Sequence, residues 1–309
     1  MPARSTRKKK ASPSISKCEP SLYVRRVGII TMPSGPLKKK HGSAYITKNN
    51  IDWFNARGVE VIPIPYDTAD PEYYFTRING LYLQGGPTYD PTYIETTRKF
   101  LQLAVDANNA GDYFPVWGTC HGFQMFIMII GKMYPLEDFD AKNSYMAHLT
   151  LTGEAVKSRL YRAINQDLLD YVTSPKHVFF SHGHGIRTKT FHENKELART
   201  FRLLSTTRDR RGTEYVSSIE ARHFPFYGTQ FHPERQPVME PFRDFFLHEI
   251  YKNRHDYRVP IDAAHRILEK APTCPETKPF GTLYKVQRCA TRRNPKLLNV
   301  FQASGCYFF

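Results

Sequence analysis

A chain of 309 residues with 40% hydrophobic and 14% aromatic content can bury a sizeable core, so one large globular domain with tails is expected. The net charge of +15 sits at the ends: residues 1–26 hold eight Lys/Arg against Glu19, and residues 251–309 hold eleven against four acids. The body between carries 25 basic and 24 acidic side chains, which confines any electrostatic reading of nucleic acid to the tails. Five cysteines (Cys18, Cys120, Cys274, Cys289, Cys306) are too few and odd in number for a disulfide framework, so free thiols are expected. No run reaches the length of a membrane span, no apolar stretch follows the basic N-terminus, and no N-x-S/T sequon occurs. Together these features predict an intracellular protein of a reducing compartment, cytoplasmic or nuclear, with no membrane contact.

In chain order, residues 1–23 read as a basic disordered tail, densest at Arg7 to Lys10 and open to a targeting role. Val27 to Thr31 is a first strand. A lysine-rich loop (33–42) leads to a helix over 43–57, closed by Gly58 as its C-cap. Strands follow at 59–65 and 79–84, the latter ending in Gly85-Gly86. A helix over 92–109 shows an apolar face through Ile94, Leu101 and Val105. The next strand, Tyr113 to Trp117, runs into Gly118-Thr119-Cys120-His121-Gly122, and a helix follows to Ile130.

The region 137–211 is less periodic and contains a strand, Val178 to His184, that ends in two histidines. Strands at 214–221 and 226–231, read as antiparallel neighbours or edge strands, precede His232-Pro233-Glu234. A helix over 238–251 closes a domain of residues 24–253. A basic extension, 254–309, is expected to pack on that domain, with a helical segment near 261–270. Repeated strand and helix units imply an α/β fold with a mostly parallel sheet, antiparallel edge strands and functional residues at the strands' C-terminal ends.

Two local patterns carry chemistry. G-x-C-x-G between strand and helix is a nucleophile elbow in which flanking glycines permit a sharp bend and the helix N-terminus favours a thiolate at Cys120. An inert buried cysteine is the competing reading. In H-P-E, an extended backbone points His232 and Glu234 to one side, so the carboxylate can orient a base for the thiol. The amide of His121 and the turn Gly85-Gly86 are natural donors to an oxyanion. His182 and His184 with His148 or His223 would make a poor zinc site, since no Cys pair or H-E-x-x-H stands nearby, and no metal or other cofactor is expected.

The run from Gly111 to Cys120, together with Asn79 to Gly86, Phe226 to Glu234 and Phe301 to Phe308, resembles the gamma-glutamyl hydrolase family. These enzymes are folate-polyglutamate-trimming cysteine peptidases of the class I glutamine amidotransferase-like superfamily, and the resemblance runs from about Val27 to the C-terminus. It implies the flavodoxin-like three-layer fold of that superfamily and hydrolysis of gamma-glutamyl amides through a thioester. Cys120 is then the nucleophile, His232 the base and acid, Glu234 the orienting carboxylate, and Gly86 and His121 the oxyanion donors. It also implies His182 as a second active-site histidine. Four positions in the substrate-binding region depart from the family: Gln124 replaces a glutamate, His184 a tryptophan, Asn50 a tyrosine and His121 a leucine. A small-molecule or peptide gamma-glutamyl substrate is thus the expected partner, with a homodimer and weak tail contact to nucleic acid or an acidic surface left open. Two other readings stay open: a glutaminase or hydrolase of another gamma-glutamyl compound, and a catalytically altered binding protein with basic tails.

Overall fold

A computed structural model describes residues 25–35, 44–256 and 261, and the backbone of Leu283–Val286. The first half comprises β1 (Arg26–Ile30), β2 (Met32–Pro33), β3 (Ala44–Thr47), α1 (Lys48–Asn55), β4 (Glu60–Ile64), α2 (Pro71–Phe75), β5 (Gly80–Leu83), α3 (Pro91–Asn109), β6 (Val116–Thr119) and α4 (His121–Ile129). Then follow β7 (Glu137–Ala147), β8 (Thr150–Leu151), α5 (Arg159–Arg162), α6 (Gln166–Thr173), β9 (Val178–Gly185), α7 (Thr188–Glu193) and α8 (Lys195–Thr200). The last elements are β10 (Phe201–Arg208), β11 (Glu214–Ala221), β12 (Phe226–Thr229), α9 (Glu240–Lys252) and β13 (Leu283–Val286).

The central sheet has the order β4-β1-β5-β6-β12-β11-β10-β8. Its first five strands are mutually parallel and its last three antiparallel. Successive strand residues point to opposite faces, and both faces are apolar. Leu81, Leu83 and Val116 meet α3 and α4 through Phe100, Leu101, Phe123 and Phe126. Tyr82, Trp117 and Tyr227 instead meet α1 and α9 through Phe54, Phe242 and Phe246. The result is the three-layer α/β fold expected of the sequence.

Several expectations shift. Residues 44–47 of the anticipated 43–57 helix are strand β3, which pairs with β2 and, along its other edge, with the backbone of β13. β12 is no edge strand: it lies between β6, parallel, and β11, antiparallel. On α3 the buried stripe is Tyr93, Thr97, Phe100, Leu101 and Ala104, with Ile94 and Val105 half-buried at its margin. Asp90 caps this helix by accepting from the Thr92 and Tyr93 amides, and Pro91 follows where no amide donor is needed. The irregular middle supplies a separate two-stranded sheet, β7 with β9. The basic N-terminal tail, residues 262–270 of the anticipated helical segment, and Cys18, Cys274, Cys289 and Cys306 lie outside the described residues. No helix among the described residues is long and apolar enough to cross a membrane.

Candidate active site

The site forms where β6 and β12 end side by side, with Thr119 and Thr229 in register. Cys120 makes the whole turn between β6 and α4, at φ 52 and ψ −102, a conformation that L side chains rarely adopt. Its amide donates to the Thr229 carbonyl at 2.7 Å, and its own carbonyl accepts from the Gln124 amide at 3.0 Å. The flanking glycines are required by contact rather than by torsion. A Cβ on Gly118 would lie 2.5 Å from the Gly122 carbonyl, and one on Gly122 only 2.0 Å from the Leu83 oxygen. The bend therefore presses α4 against β5 and leaves Cys120 at the tip, its sulfur 4.0 Å from the Ser181 carbonyl oxygen.

His232 enters from the segment after β12. Its Nδ1 donates to Glu234 Oε1 at 2.7 Å, which puts the proton on Nδ1 and leaves Nε2 without an oxygen or nitrogen partner, available to the Cys120 sulfur. Gly85 sits against both groups: a Cβ there would stand 2.8 Å from His232 Cε1 and 3.4 Å from Cys120 Cβ. Burial works against the imidazolium, yet the Glu234 carboxylate and the neighbouring Cys120 outweigh it and push His232 up to about 9. Glu234 is held below its ordinary value despite its own burial, chiefly by His232, with Arg235 adding to the effect. Gly86, backed by Met32 and the Tyr45 hydroxyl, lines the cavity with Cys120. Neither the Gly86 nor the His121 amide is consumed by a hydrogen bond among the described residues.

Around Cys120 lies a cavity of about 430 Å³ lined on one side by Gly86, Pro87 and Tyr89, and on the other by Lys142, Asn143 and Ser181 to His184. His182 Nδ1 donates to the His184 carbonyl at 2.9 Å, so its buried Nε2 is a bare acceptor. Burial drives His182 down to about 3 and His121 down to about 4, so both rings are neutral at physiological pH. Gln124 reaches the cavity but is also a strut. Its Nε2 donates to the His184 carbonyl at 2.6 Å and to Gln230 at 3.3 Å, while Oε1 accepts from His121 Nδ1. The exposed ring of His184 stands against Tyr89 at the rim.

Asn50 is the predicted site residue that the structure keeps out of the cavity. It is 1% exposed, donates to Thr47 and Gln84, and accepts from the Tyr82 hydroxyl, bracing Gln84 beneath the Gly85-Gly86 turn. Both of its amide hydrogens are engaged inside the fold, and an isolated asparagine in a helix gives no sign of this inward orientation. Sequence reasoning missed Tyr89, Lys142, Asn143 and the spacer role of Gly85. The first three sit in polar surroundings without periodicity, whereas the glycine pair was noticed but only its second member was given a task.

A strained cysteine elbow with a histidine–carboxylate pair at the C-terminal ends of parallel strands has the parts of a cysteine-type hydrolase built on an α/β sheet. The model of the Peptidase C26 family matches residues 27–234, and the chain belongs to that family. The gamma-glutamyl hydrolase of Mus musculus is 32% identical over 213 residues, covering 68% of this chain and 67% of that protein. Gamma-glutamyl hydrolase B of Dictyostelium discoideum is 28% identical over 255 residues, covering 75% and 73%. Gamma-glutamyl hydrolase 1 of Arabidopsis thaliana is 31% identical over 233 residues, covering 72% and 67%.

Proposed function

We propose that this protein hydrolyses gamma-glutamyl amide bonds through a Cys120 thioester. The observation that carries the reading is the Cys120, His232 and Glu234 constellation, with a proton on His232 Nδ1 and a ring whose cationic form persists to about pH 9. The relatives' shared name, gamma-glutamyl hydrolase, supports the choice of bond.

The Cys120 sulfur adds to the substrate carbonyl, and the amides of Gly86 and His121 receive the oxyanion. The His232 imidazolium gives its Nε2 proton to the leaving nitrogen as the C–N bond breaks, so amine departs and a thioester remains. Neutral His232 then takes a proton from water, the hydroxyl adds to the thioester carbonyl, and collapse expels the Cys120 thiolate with release of a carboxylate. Glu234 holds the ring in one tautomer throughout. His182, neutral and with Nε2 bare, accepts a hydrogen bond from the scissile amide or from the attacking water. Among the described residues the cavity lining contains no Asp or Glu to receive a free α-ammonium group, which favours gamma-linked chains over glutamine or simple gamma-glutamyl amines.

The test is a panel of folate poly-gamma-glutamates, gamma-glutamyl amines and glutamine read by mass spectrometry, with Cys120→Ala as the blank. The expected result is cleavage of the chains, lowered at least ~10³-fold in the variant. Turnover surviving Cys120→Ala would sink the mechanism, and a folded wild type inert on every gamma-glutamyl compound would sink the bond assignment.

A further inference from the structure

The wall of the cavity opposite Gly86 is built on a distorted strand. Ala141 pairs with His182 and Tyr145 with Phe180, so β7 advances four residues while β9 advances two. Lys142 to Ser144, three residues opposite the single Ser181, bulge out at the cavity. Asn143 and Ser144 both take left-handed backbone conformations, at φ 54 and 57, which neither residue type adopts without cost. Bulges that persist at such cost re-aim a side chain, and here the one aimed is Lys142. Its stem lies across Gly183 so closely that a Cβ at Gly183 would stand 2.1 Å from Lys142 Cε and 3.1 Å from Nζ. Only glycine between His182 and His184 lets the ammonium rest there.

Every acid on the same strand is committed elsewhere. Glu137 pairs with Arg187, Asp138 with Arg211 and Asp140 with Arg210. Lys142 has no ion pair among the described residues, and the cavity that it lines holds no carboxylate to neutralise it. With His182 neutral beside it, Lys142 is the standing positive charge of that wall. A lysine placed on a strained bulge, seated over a glycine and left without a counter-ion, is arranged to receive an anion.

We propose that Lys142 is a specificity-determining residue whose ammonium receives a free carboxylate of the gamma-linked substrate beside the scissile amide. This rests on the gamma-glutamyl reading above. Two carboxylates flank the scissile amide of a gamma-linked substrate, the α-carboxylate of the glutamyl residue that acylates Cys120 and that of the departing residue.

The experiment measures kcat and KM of wild type, Lys142→Ala and Lys142→Arg on three substrates. These are an N-acyl-gamma-glutamyl-glutamine, whose departing residue has no side-chain carboxylate, and two analogues in which one or the other α-carboxylate is a carboxamide. The alanine variant is expected to raise KM for the parent on the order of 10- to 100-fold, the size of a lost charge-assisted contact, with kcat within about threefold and arginine restoring most of the loss. The penalty should vanish on one analogue, which identifies the carboxylate bound. An equal penalty on all three substrates would reveal a structural role and overturn the proposal, as would a parent KM within twofold of wild type. If folded wild type, with Cys120→Ala as its blank, cleaves none of the three, the gamma-glutamyl reading itself fails; intact cleavage without a Lys142 penalty defeats only the present inference.

Discussion

The charge state of His232 follows from a competition that its two neighbours win. The charge of Glu234 is the largest single favourable influence, so Glu234→Gln should return the ring toward its ordinary range. The alkaline limb of the kcat/KM profile, expected near pH 9 in wild type, should then move to lower pH, and kcat should fall roughly 10²- to 10⁴-fold. A profile whose alkaline limb stays in place would show that His232 is not the group titrating. The same shift has a sign for stability. A pKa raised in the folded state stabilises fully below the unfolded value of 6.5 and loses that contribution as pH climbs through about 9. Melting temperature should therefore decline across pH 6.5 to 9, and His232→Gln should flatten that decline. At this scale the sequence was informative because Cys120, His232 and Glu234 each lie in a local pattern whose spacing encodes its geometry. Asn50 was opaque because its orientation depends on Thr47, Gln84 and Tyr82, which come together only in the folded chain.

Among the elements, the junction of β6 and α4 depends on two hydrogen atoms where side chains would be. Gly122→Ala drives a methyl into the Leu83 carbonyl, a backbone atom that cannot rotate away, so a loss of about 1–3 kcal/mol and a lower melting temperature are expected. Gly85→Ala meets the edge of the His232 ring instead. It should cost at least tenfold in kcat/KM with little change in melting temperature, and the reverse pattern would mean that Gly85 serves folding alone. The parallel strands were readable because burial on both faces makes them continuous apolar runs, as in Gly80–Leu83 and Val116–Thr119. β7 was not: solvent on one side and the three-residue bulge erase its alternation, and its sequence, EDFDAKNSYMA, resembles a polar loop.

For the molecule as a whole, the near-neutral body and the basic ends predict separable behaviour. Deleting residues 1–20 should leave kcat/KM within about twofold and remove much of any salt-sensitive retention on immobilised nucleic acid, since such retention scales with the number of cations engaged. Unchanged retention would shift attention to the charges beyond residue 250. The central sheet holds the proposed nucleophile and base, Cys120 and His232, at the ends of hydrogen-bonded neighbours, Thr119 and Thr229 lying in register. The opposite wall belongs to another sheet, β7 with β9, which meets the His232 segment through a bond from the His232 amide to the Phe179 carbonyl. The proposed catalytic pair and the wall that carries Lys142 thus stand on separate frames. The β7–β9 ribbon is a natural cassette for grafting: exchanging its outer half, from Ala141 through the bulge and from His182 to His184, offers a route to new acyl or leaving-group preferences while the thiol and its base keep their mutual distance.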